Sequence, residues 1–413
     1  MTDQPLGAVP FRPVAGRRVV LGVTGSIAAY KAADLASKLT QAGALVDVVL
    51  TESAARFAGE ATFAALTQRP VTAGLYQASS DINIDHVALA NRAEIVVVAP
   101  ATANTIAKIA LGLADDPLTA TVLATSAPLL IAPAMDANMF ESEATRHNVE
   151  TLRARGVLFA GPETGRMASG MTGLGRMEEP TRIVGRVRAA LGRAGDYAGR
   201  RVIVTAGGTQ EPIDPVRIIT NRSTGKMGYA LAEAARDRGA QVTLVTAPTA
   251  LPDPVAMELA PAETADRMRD EVLPRCAAAD LLIMAAAVAD FRPAAPARQK
   301  IKKSRLDGMS LELVAIDDWM PLATGPRLVR IAFAAETSDM IKNARAKLRD
   351  KGAHLIVAND VTQAGAGFGT DTNKVTILDR NDGVDDVPLM DKLAVAHRIL
   401  DRALPFMEQP QTG

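Results

Sequence analysis

The chain has 413 residues, 48% of them apolar, and its 46 basic residues balance its 46 acidic ones. This length suits two globular domains of roughly 200 residues each, and the neutral balance gives no bulk attraction for nucleic acid or a membrane. With no signal-peptide core and no membrane-spanning apolar run, we expect a cytoplasmic protein. One cysteine, Cys276, excludes internal disulfides, and four scattered histidines exclude a Cys/His zinc cluster. Any metal must therefore be held by carboxylates or phosphates.

Two segments of the chain open in the same way. Arg17–Thr24 and Arg200–Thr205 are apolar strands, each followed by a glycine turn, a helix closed by glycine, and a second strand. This order predicts right-handed parallel crossovers, and hence an α/β fold of two Rossmann-like domains with mainly parallel sheets. Further strands are predicted at Glu94–Ala99, Leu129–Ala132 and Val157–Ala160 in the first domain, and at Leu281–Ala286, Arg330–Ala334, Leu355–Ala358 and Lys374–Leu378 in the second.

The domain boundary is predicted from helix-breaking residues near the middle of the chain. Pro180 and Gly195-Asp196 bracket a short Arg/Ala-rich helical stretch, which suits a hinge. We therefore expect an N-terminal tail at 1–16, a first domain at 17–180, a linker at 181–198 and a second domain at 199–413.

The first strand ends at a turn that suits a single phosphate. Gly25, Ser26 and Ile27 stand at the start of the first helix, where backbone N–H groups and the Ser26 hydroxyl can bind an anion. No G-x-G-x-x-G follows either opening strand, which disfavours a dinucleotide site. Taken by itself, the Gly-Ser turn is more typical of an ordinary helix cap.

The corresponding run of the second domain, Val202–Gly228, predicts a second anion site. A buried strand leads into Gly207-Gly208, and Asn221 and Lys226 crowd polar groups just before an apolar helix. Backbone N–H groups at a helix N-terminus, with a lysine beside them, suit a phosphate. The Walker pattern fails because Met227 follows the lysine.

Blocks of sequence in both halves resemble the bifunctional phosphopantothenoylcysteine decarboxylase/phosphopantothenate-cysteine ligase family of coenzyme A synthesis. In the second half these are Val202–Gly228, Ala285–Pro293 (AAAVADFRP), Lys300–Lys303 (KIKK), Phe333–Thr337 (FAAET), Ala358–Asp360 (AND) and Gly367–Val375 (GFGTDTNKV). In the first half they are Val23–Lys31 (VTGSIAAYK), Asp85–Glu94 (DHVALANRAE), Ala99–Asp116 (APATANTIAKIALGLADD) and Ala132–Phe140 (APAMDANMF).

For the first half, the resemblance implies a flavodoxin-like domain of the flavin-containing cysteine decarboxylase type, with FMN as cofactor. In that family the flavin oxidises a cysteine thiol to a thioaldehyde, so that the adjacent carboxylate leaves as CO2. The implied acid/base is His86, because imidazole exchanges a proton near neutral pH. The implied FMN contacts are Gly25, Ser26, Ile27, Thr51, Thr102, Asn104 and Met135, the last against the isoalloxazine.

Two residues depart from the family pattern. Asp136 stands where the family usually has an asparagine for the substrate carboxylate, so it must be protonated, turned away or replaced by Asn138. Ser169 stands where the family has a cysteine in the substrate clamp, and its hydroxyl has no comparable proton chemistry. The last half-reaction is then expected to be slow or to use another group. The clamp retains Arg176 and Met177 for substrate binding, the arginine for its phosphate.

For the second half, the resemblance implies a ligase that uses CTP. CMP is transferred to the carboxylate of 4'-phosphopantothenate, and cysteine displaces it. Asn221 would handle the acyl-CMP intermediate, Lys226 would contact substrate, and Mg2+ would enter with the triphosphate, held by phosphates and Asp290. The residues do not separate CTP from ATP. The implied nucleotide contacts are Met284, Ala285, Ala286, Asp290, Lys300, Phe333, Lys347 and Lys351.

The leading hypothesis is ligation in the second domain followed by decarboxylation in the first, giving 4'-phosphopantetheine. Asp136 and Ser169 motivate an alternative, a ligase whose FMN-binding first domain serves oligomerisation and has impaired decarboxylase activity. A regulatory flavoprotein subunit is disfavoured by His86 and the intact-looking ligase site. The resemblance implies decarboxylase trimers with each flavin site at a subunit boundary and ligase dimers, which together predict a homo-oligomer, a dodecamer of trimers and dimers.

Overall fold

The computed structural model describes residues 13–74, 85–302, 308–336, 340–360, 365, 367 and 369–408. Most of the predicted tail 1–16 lies outside the described residues, as do Lys303, Thr337 and Phe368 of the blocks quoted above. The chain divides into two compact units, and the division falls between Gly192 and Arg193.

The first unit is a six-stranded parallel sheet covered on both faces, with a separate hairpin. Its strands are β1 Arg18–Val23, β2 Leu45–Leu50, β3 Val71–Thr72, β4 Ile95–Ala101, β5 Leu129–Pro133, β6 Leu158–Phe159, β7 Glu163–Arg166 and β8 Thr172–Arg176. Its helices are α1 Ala29–Gln41, α2 Glu52–Ala55, α3 Glu60–Thr67, α4 Asp85–Arg92, α5 Ala103–Leu111, α6 Pro117–Ala124, α7 Ala137–Glu141, α8 Glu143–Ala154 and α9 Pro180–Gly192.

The strand order β3-β2-β1-β4-β5-β6 is that of the Rossmann fold, whereas flavodoxin itself has the order 2-1-3-4-5. The strands alternate between two cores: Leu21 of β1 packs with α1, α3 and α9, and Val20 packs with α5, α6 and α8. A sheet buried on both faces needs near-continuous apolar strands, which is the pattern that made these strands predictable. The α/β, mainly parallel fold predicted from the sequence is confirmed.

The second unit repeats this order and extends it. Its strands are β9 Arg201–Ala206, β10 Gln210–Pro212, β11 Ile218–Thr220, β12 Gln241–Thr246, β13 Glu258–Pro261, β14 Leu281–Met284, β15 Phe291–Pro293, β16 Leu313–Ala315, β17 Val329–Glu336, β18 Leu355–Asp360, β19 Thr372–Asp379 and β20 Val384–Asp391. Its helices are α10 Lys226–Asp237, α11 Ala265–Cys276, α12 Met340–Asp350 and α13 Lys392–Glu408, with a short 3-10 turn at Met320–Leu322.

The large sheet of this unit has the order β13-β12-β9-β14-β17-β18-β19-β20. Its first six strands are parallel, and β19 and β20 add an antiparallel hairpin at one edge. The sequence predicts no strand at β20, whose residues VDDVPLMD include three aspartates and a proline. Proline and exposed charges belong on an edge strand, where one side needs no partner.

The segment predicted as a linker, 181–198, is packed rather than free. Helix α9 lies against α1 and buries Ile183 and Val187 in the core of the first unit. Tyr197 is fully buried in the second unit, and its hydroxyl donates to the carbonyl of Leu400 at 2.7 Å. The structure therefore differs from the predicted bounds. Ile183 and Val187 belong to the core of the first unit, and Tyr197 belongs to the core of the second.

Helix α10 begins at the carboxyl end of β9 because of one close contact. A Cβ atom at Gly228 would lie 2.6 Å from Cβ of Ala206 and 2.9 Å from the carbonyl oxygen of Thr205. Such distances are too short for any side chain, so glycine lets the first turn of the helix rest directly on the strand. This contact fixes the position of the helix N-terminus.

His354 should make the stability of the second unit depend on pH. It is buried, and its Nδ1 accepts a hydrogen bond from the Arg330 N–H at 3.1 Å. Burial lowers the pKa of His354 from 6.5 to about 4, with smaller contributions from the charges of Arg380 and Arg330. The unfolded chain takes up this proton first, so the stabilisation is complete above pH 6.5 and falls by roughly 3 kcal/mol towards pH 4.

Denaturant unfolding between pH 7 and pH 4 measures this fall. In His354→Asn the amide oxygen can still accept from the Arg330 N–H, but the side chain does not titrate. The free energy of unfolding should therefore fall by roughly 3 kcal/mol less between pH 7 and pH 4 than in the unmodified protein. An equal loss in both proteins would contradict the assignment.

Candidate active sites

The first cleft lies at the carboxyl ends of β1, β4 and β5 and has a volume of about 520 Å3. It lies where the strand order reverses between β1 and β4, which is where open α/β sheets bind ligands. Of the residues predicted for this half, those lining the cleft are Gly25, Ser26, Ile27, Thr102, Met135, Asp136, Ser169, Arg176 and Met177. Tyr30, Lys31, Met139 and Arg166 also line it, and the sequence analysis assigns them no role.

The start of α1 offers backbone donors to this cleft. Ala28 is the N-cap residue and has no side chain that could cap the helix. The Ser26 hydroxyl accepts from the Ala28 N–H at 3.3 Å, and Thr24 links this turn to the neighbouring one through the Thr102 N–H at 3.1 Å. The Ser26 carbonyl also accepts from the Ala29 N–H at 2.9 Å, so the attraction for an anion such as a flavin phosphate comes from the positive end of the helix more than from unbonded N–H groups.

The hairpin β7–β8 forms a lid, and it brings the two departures from the family pattern together. The Ser169 hydroxyl donates to Oδ2 of Asp136 at 2.6 Å, while Oδ1 accepts from the Asn138 N–H at 3.2 Å. A Cβ at Gly175 would lie 2.3 Å from the Met135 carbonyl oxygen, so only glycine allows the lid to approach this closely. Asp136 therefore caps α7 and holds the lid tip at once.

Four predicted residues of this half do not line the cleft. Thr51 caps α2, accepting from the Ala54 N–H, and Asn104 is exposed in the first turn of α5. Asn138 is also exposed, and its Nδ2 lies 3.9 Å from Sδ of Met171 in the lid. His86 lies at the start of α4, and its buried Nδ1 has no hydrogen-bond partner among the described residues.

Replacing Ser169 by alanine should loosen the lid tip. Loss of one such hydrogen bond is expected to speed amide hydrogen exchange at Met167–Met171 by roughly 2- to 10-fold. Thr172→Val is the matched control, because it removes a lid hydroxyl for which the described residues offer no partner. Similar exchange rates in the Ser169→Ala variant and the unmodified protein would show that this hydrogen bond does not hold the lid.

The second cleft lies at the carboxyl ends of β9, β14, β17 and β18 and has a volume of about 570 Å3. Of the residues predicted for this half, those lining it are Asn221, Lys226, Met284, Ala285, Ala286, Asp290, Phe333, Lys347 and Lys351. Lys300 is exposed and is not among the lining residues, so the described chain shows no lysine of the KIKK block in contact with the cleft.

Helix α10 points its N-terminus into this cleft. Its N-cap residue, Gly225, has no side chain to bond the first N–H groups, which suits a phosphate. Lys226 is bonded to the opposite wall, where Nζ donates to Asp371 Oδ1 at 2.7 Å and to the Gly369 carbonyl at 2.9 Å. This lysine holds the pKa of the Asp371 carboxyl below its usual range.

Asn221 fastens the loop after β14. Its Nδ2 donates to the carbonyl oxygens of Ala287 and Val288, at 3.2 Å each. The same loop is also bonded to the turn after β9, where the Ala287 N–H donates to the Gly207 carbonyl at 2.8 Å. Asn221 thus lies between the start of α10 and the loop that carries Asp290, both of which line the cleft.

The cationic wall of the cleft is partly neutralised. Lys351 forms an ion pair with Asp318, and Lys347 lies one turn away on the same face of α12. Asp317, Asp318 and Trp319 also line the cleft.

Sequence reasoning missed two further polar residues of this cleft. Asn359 is the second-last residue of β18, and its buried Oδ1 has no hydrogen-bond partner among the described residues. A buried amide without a partner is costly, so it suits a ligand group. Lys392 is buried, donates to the Thr370 and Thr372 carbonyls at 2.5 and 2.9 Å, and so organises the loop beside Lys226. Asn359 lies in the quoted AND block, which is the one signal that could have identified it.

The described part of the chain holds no preformed metal cluster, membrane-spanning helix or reactive thiol. No group of three or more His, Cys, Asp or Glu side chains that could hold a metal occurs within the described ranges. Over the same ranges, every helix is too short or too polar to cross a membrane. Cys276 is fully buried, its thiol donates to the Val272 carbonyl, and burial raises its pKa to about 11. It therefore packs as a small apolar residue and is not a reactive thiol.

Family comparisons identify the class of each half. Residues 11–192 match the family model described as "Flavoprotein", and residues 197–406 match "DNA/pantothenate metabolism flavoprotein C-terminal domain". A solved structure of the C-terminal domain of the coenzyme A biosynthesis bifunctional protein CoaBC is 37% identical, covering 51% of this chain and 96% of its own, with a TM-score of 0.44. The chain is a two-domain flavoprotein of pantothenate metabolism.

Relatives of similar length narrow this class to one family. The coenzyme A biosynthesis bifunctional protein CoaBC of Bacillus subtilis (strain 168) is 45% identical over 95% of this chain and 98% of the relative. The protein of the same name from Vibrio cholerae serotype O1 is 42% identical over 94% and 98%. This chain belongs to the CoaBC family, and it is a bifunctional enzyme of coenzyme A biosynthesis with ligase and decarboxylase steps. The resemblance stated from the sequence is confirmed.

Proposed function

We propose that the second unit joins 4'-phosphopantothenate to cysteine at the expense of CTP, and that the first unit, carrying FMN, decarboxylates the product to 4'-phosphopantetheine. The observation that carries the first part is the uncapped N-terminus of α10, which begins with Lys226 and lines one cleft together with Lys347 and Lys351. We propose the cytoplasm as the location. The alternative of ligase activity alone gains no support, because both halves match families.

In the ligase cleft, the N–H groups of α10 and the three lysines would bind the triphosphate. Mg2+ would be held mainly by phosphate oxygens with Asp290 as the protein ligand, in keeping with a cleft that lacks a preformed cage in the described part of the chain. Asn221 would exchange one of its bonds to the Ala287 and Val288 carbonyls for a bond to the acyl oxygen as the oxyanion develops there. Met284, Ala285, Ala286 and Phe333 would flank the nucleotide.

Nucleotide phosphates must displace internal carboxylates in this cleft. Lys226 is held by Asp371, and Lys351 by Asp318, so each lysine exchanges one anion for another when the nucleotide binds. Such exchange costs little because the charge is compensated in both states, and it keeps the lysines in place before binding. Lys300 would join them only by moving from its exposed position.

In the decarboxylase cleft, FMN would supply the hydride acceptor that oxidises the cysteine thiol. Gly25, Ser26 and Ile27 would hold its phosphate at the start of α1, and Thr102 and Met135 would flank it. Arg176 and Met177 would close the lid over the substrate, with the arginine on the 4'-phosphate. Asp136, held by Ser169, would face the reacting end of the substrate.

His86 is proposed to act in the cleft of a neighbouring copy. It is absent from the lining of its own cleft, and its buried Nδ1 has no bond within the described chain. Exposed apolar side chains, including Ile27 and Tyr30, border the same cleft and suit a subunit contact. We therefore propose decarboxylase trimers that combine with ligase dimers into a dodecamer.

Asn221→Asp should block amide formation while nucleotide binding changes little. The carboxylate has nearly the same shape but cannot donate, and losing one oxyanion donor typically costs ~10²–10³ in rate. The measurement is ligase turnover together with the Kd of CTP. Asn381→Asp, the same change at an exposed turn, is the control. Unchanged turnover in the Asn221 variant would remove this residue from the mechanism.

Complementation tests the shared decarboxylase site. His86→Gln lacks the acid/base, and Ser26→Asp should repel the flavin phosphate, so each variant alone should release almost no CO2. In mixed oligomers, an intact His86 can meet an intact flavin cleft, and CO2 release should recover to roughly a quarter or less of the unmodified rate, set by the fraction of mixed boundaries. Mixed oligomers that form but stay inactive would contradict a shared site, as would a monomer by light scattering.

A further inference from the structure

Lys31 is a buried cation at the base of the lid. It belongs to the first turn of α1 and lines the first cleft, yet only 6% of its surface is exposed. Its Nζ donates to Oε1 of Glu179 at 2.9 Å and to the Met177 carbonyl at 3.2 Å. These contacts tie α1 to the segment that joins the lid to α9.

Glu179 is shared between two cations. The oxygen that accepts from Lys31 also accepts from Nη2 of Arg176 at 2.6 Å. The neighbouring acid, Glu178, is already bonded to Arg182 and Arg186. The bonds of Glu179 thus join two positive charges and one negative charge at the base of the lid. The Lys31 hydrogen bond is the leading cause that lowers the pKa of Glu179.

The two cations differ in their access to water. The Lys31 side chain is 8% exposed, so its charge depends on Glu179, whereas the Arg176 side chain is 46% exposed and can be solvated or bind a ligand. A buried charge holds its partner more strongly than an exposed one, because water does not replace the lost contact. Glu179 is therefore held chiefly by Lys31. The positive charge of Arg176 is only partly compensated, so its guanidinium can bind another anion.

We propose that Lys31 is a positioning residue that keeps Arg176 available to a phosphate group in the cleft by holding Glu179. This inference rests on the proposed function, in which Arg176 contacts the 4'-phosphate of the substrate. Without Lys31, Glu179 pairs with Arg176 alone and neutralises it. When both Lys31 and Glu179 are replaced, the Glu179 carboxylate no longer competes for Arg176, and the guanidinium can bind a phosphate again.

The experiment compares substrates with and without the 4'-phosphate, 4'-phosphopantothenoylcysteine and pantothenoylcysteine. The ratio of their kcat/KM values isolates the phosphate contact. Arg176→Ala should lower this ratio by roughly 10-fold or more, the range of a charge-assisted hydrogen bond. Lys31→Met should lower it by roughly 5-fold, Lys31→Arg should leave it nearly unchanged, and the double variant Lys31→Met/Glu179→Gln should return it to within about 2-fold of the unmodified protein.

Two measurements that do not depend on turnover accompany the ratio. Bound flavin, from visible absorbance, should stay unchanged in every variant, and calorimetric binding of 4'-phosphopantetheine against pantetheine should follow the same order. If Lys31→Met does not fold, the double variant buries no unpaired charge, and its comparison with Arg176→Ala carries the test.

The outcomes distinguish the role of Lys31 from the proposed contact between Arg176 and the 4'-phosphate. An unchanged ratio in Arg176→Ala would overturn the proposed phosphate contact, and the role of Lys31 with it. A lowered ratio in Arg176→Ala without any change in Lys31→Met would overturn the role of Lys31 alone. A double variant as impaired as Lys31→Met would show that Lys31 only supports the lid, which would also overturn the proposal.

Discussion

Parallel strand pairing is the constraint on which both active-site clefts depend. A right-handed crossover returns each helix so that it starts at the carboxyl edge of the sheet, and α1 and α10 both start there without a side-chain cap, at Ala28 and Gly225. Neither N-cap residue bonds the first N–H groups of its helix through a side chain, and the positive end of each helix lies beside a cleft. The same geometry occurs twice in one chain, and we propose that each helix start binds a phosphate-bearing ligand.

The cations around these clefts are compensated by acids of the chain itself. Lys226 is paired with Asp371, Lys351 with Asp318, and Arg176 shares Glu179 with Lys31. In the proposed function, a ligand phosphate would therefore compete with a carboxylate that is already in place. The net affinity is a difference between two similar interactions, so it reflects the placement of the acids as much as that of the lysines and arginines.

The sequence predicts the main strands because a sheet covered on both faces leaves nearly continuous apolar runs. It also predicts most of the ligase cleft, since Asn221, Lys226 and Asp290 follow strands whose carboxyl ends meet. It does not predict β20, an edge strand with three aspartates, or the packing of Tyr197 and α9. Ion pairs such as Lys31–Glu179 join residues 148 positions apart, and no local pattern records them. Thr51, Asn104, His86, Asn138 and Lys300 do not line the clefts, and the roles of all the predicted site residues stay predictions.

Both steps are expected to occur in this chain despite Asp136 and Ser169. In the most direct assay, the purified protein receives 4'-phosphopantothenate, CTP and cysteine labelled at its carboxyl carbon, and labelled CO2 is followed together with 4'-phosphopantetheine. We expect equal amounts of both products, and neither when CTP is withheld. Accumulation of labelled 4'-phosphopantothenoylcysteine without labelled CO2 from flavin-loaded protein would contradict it.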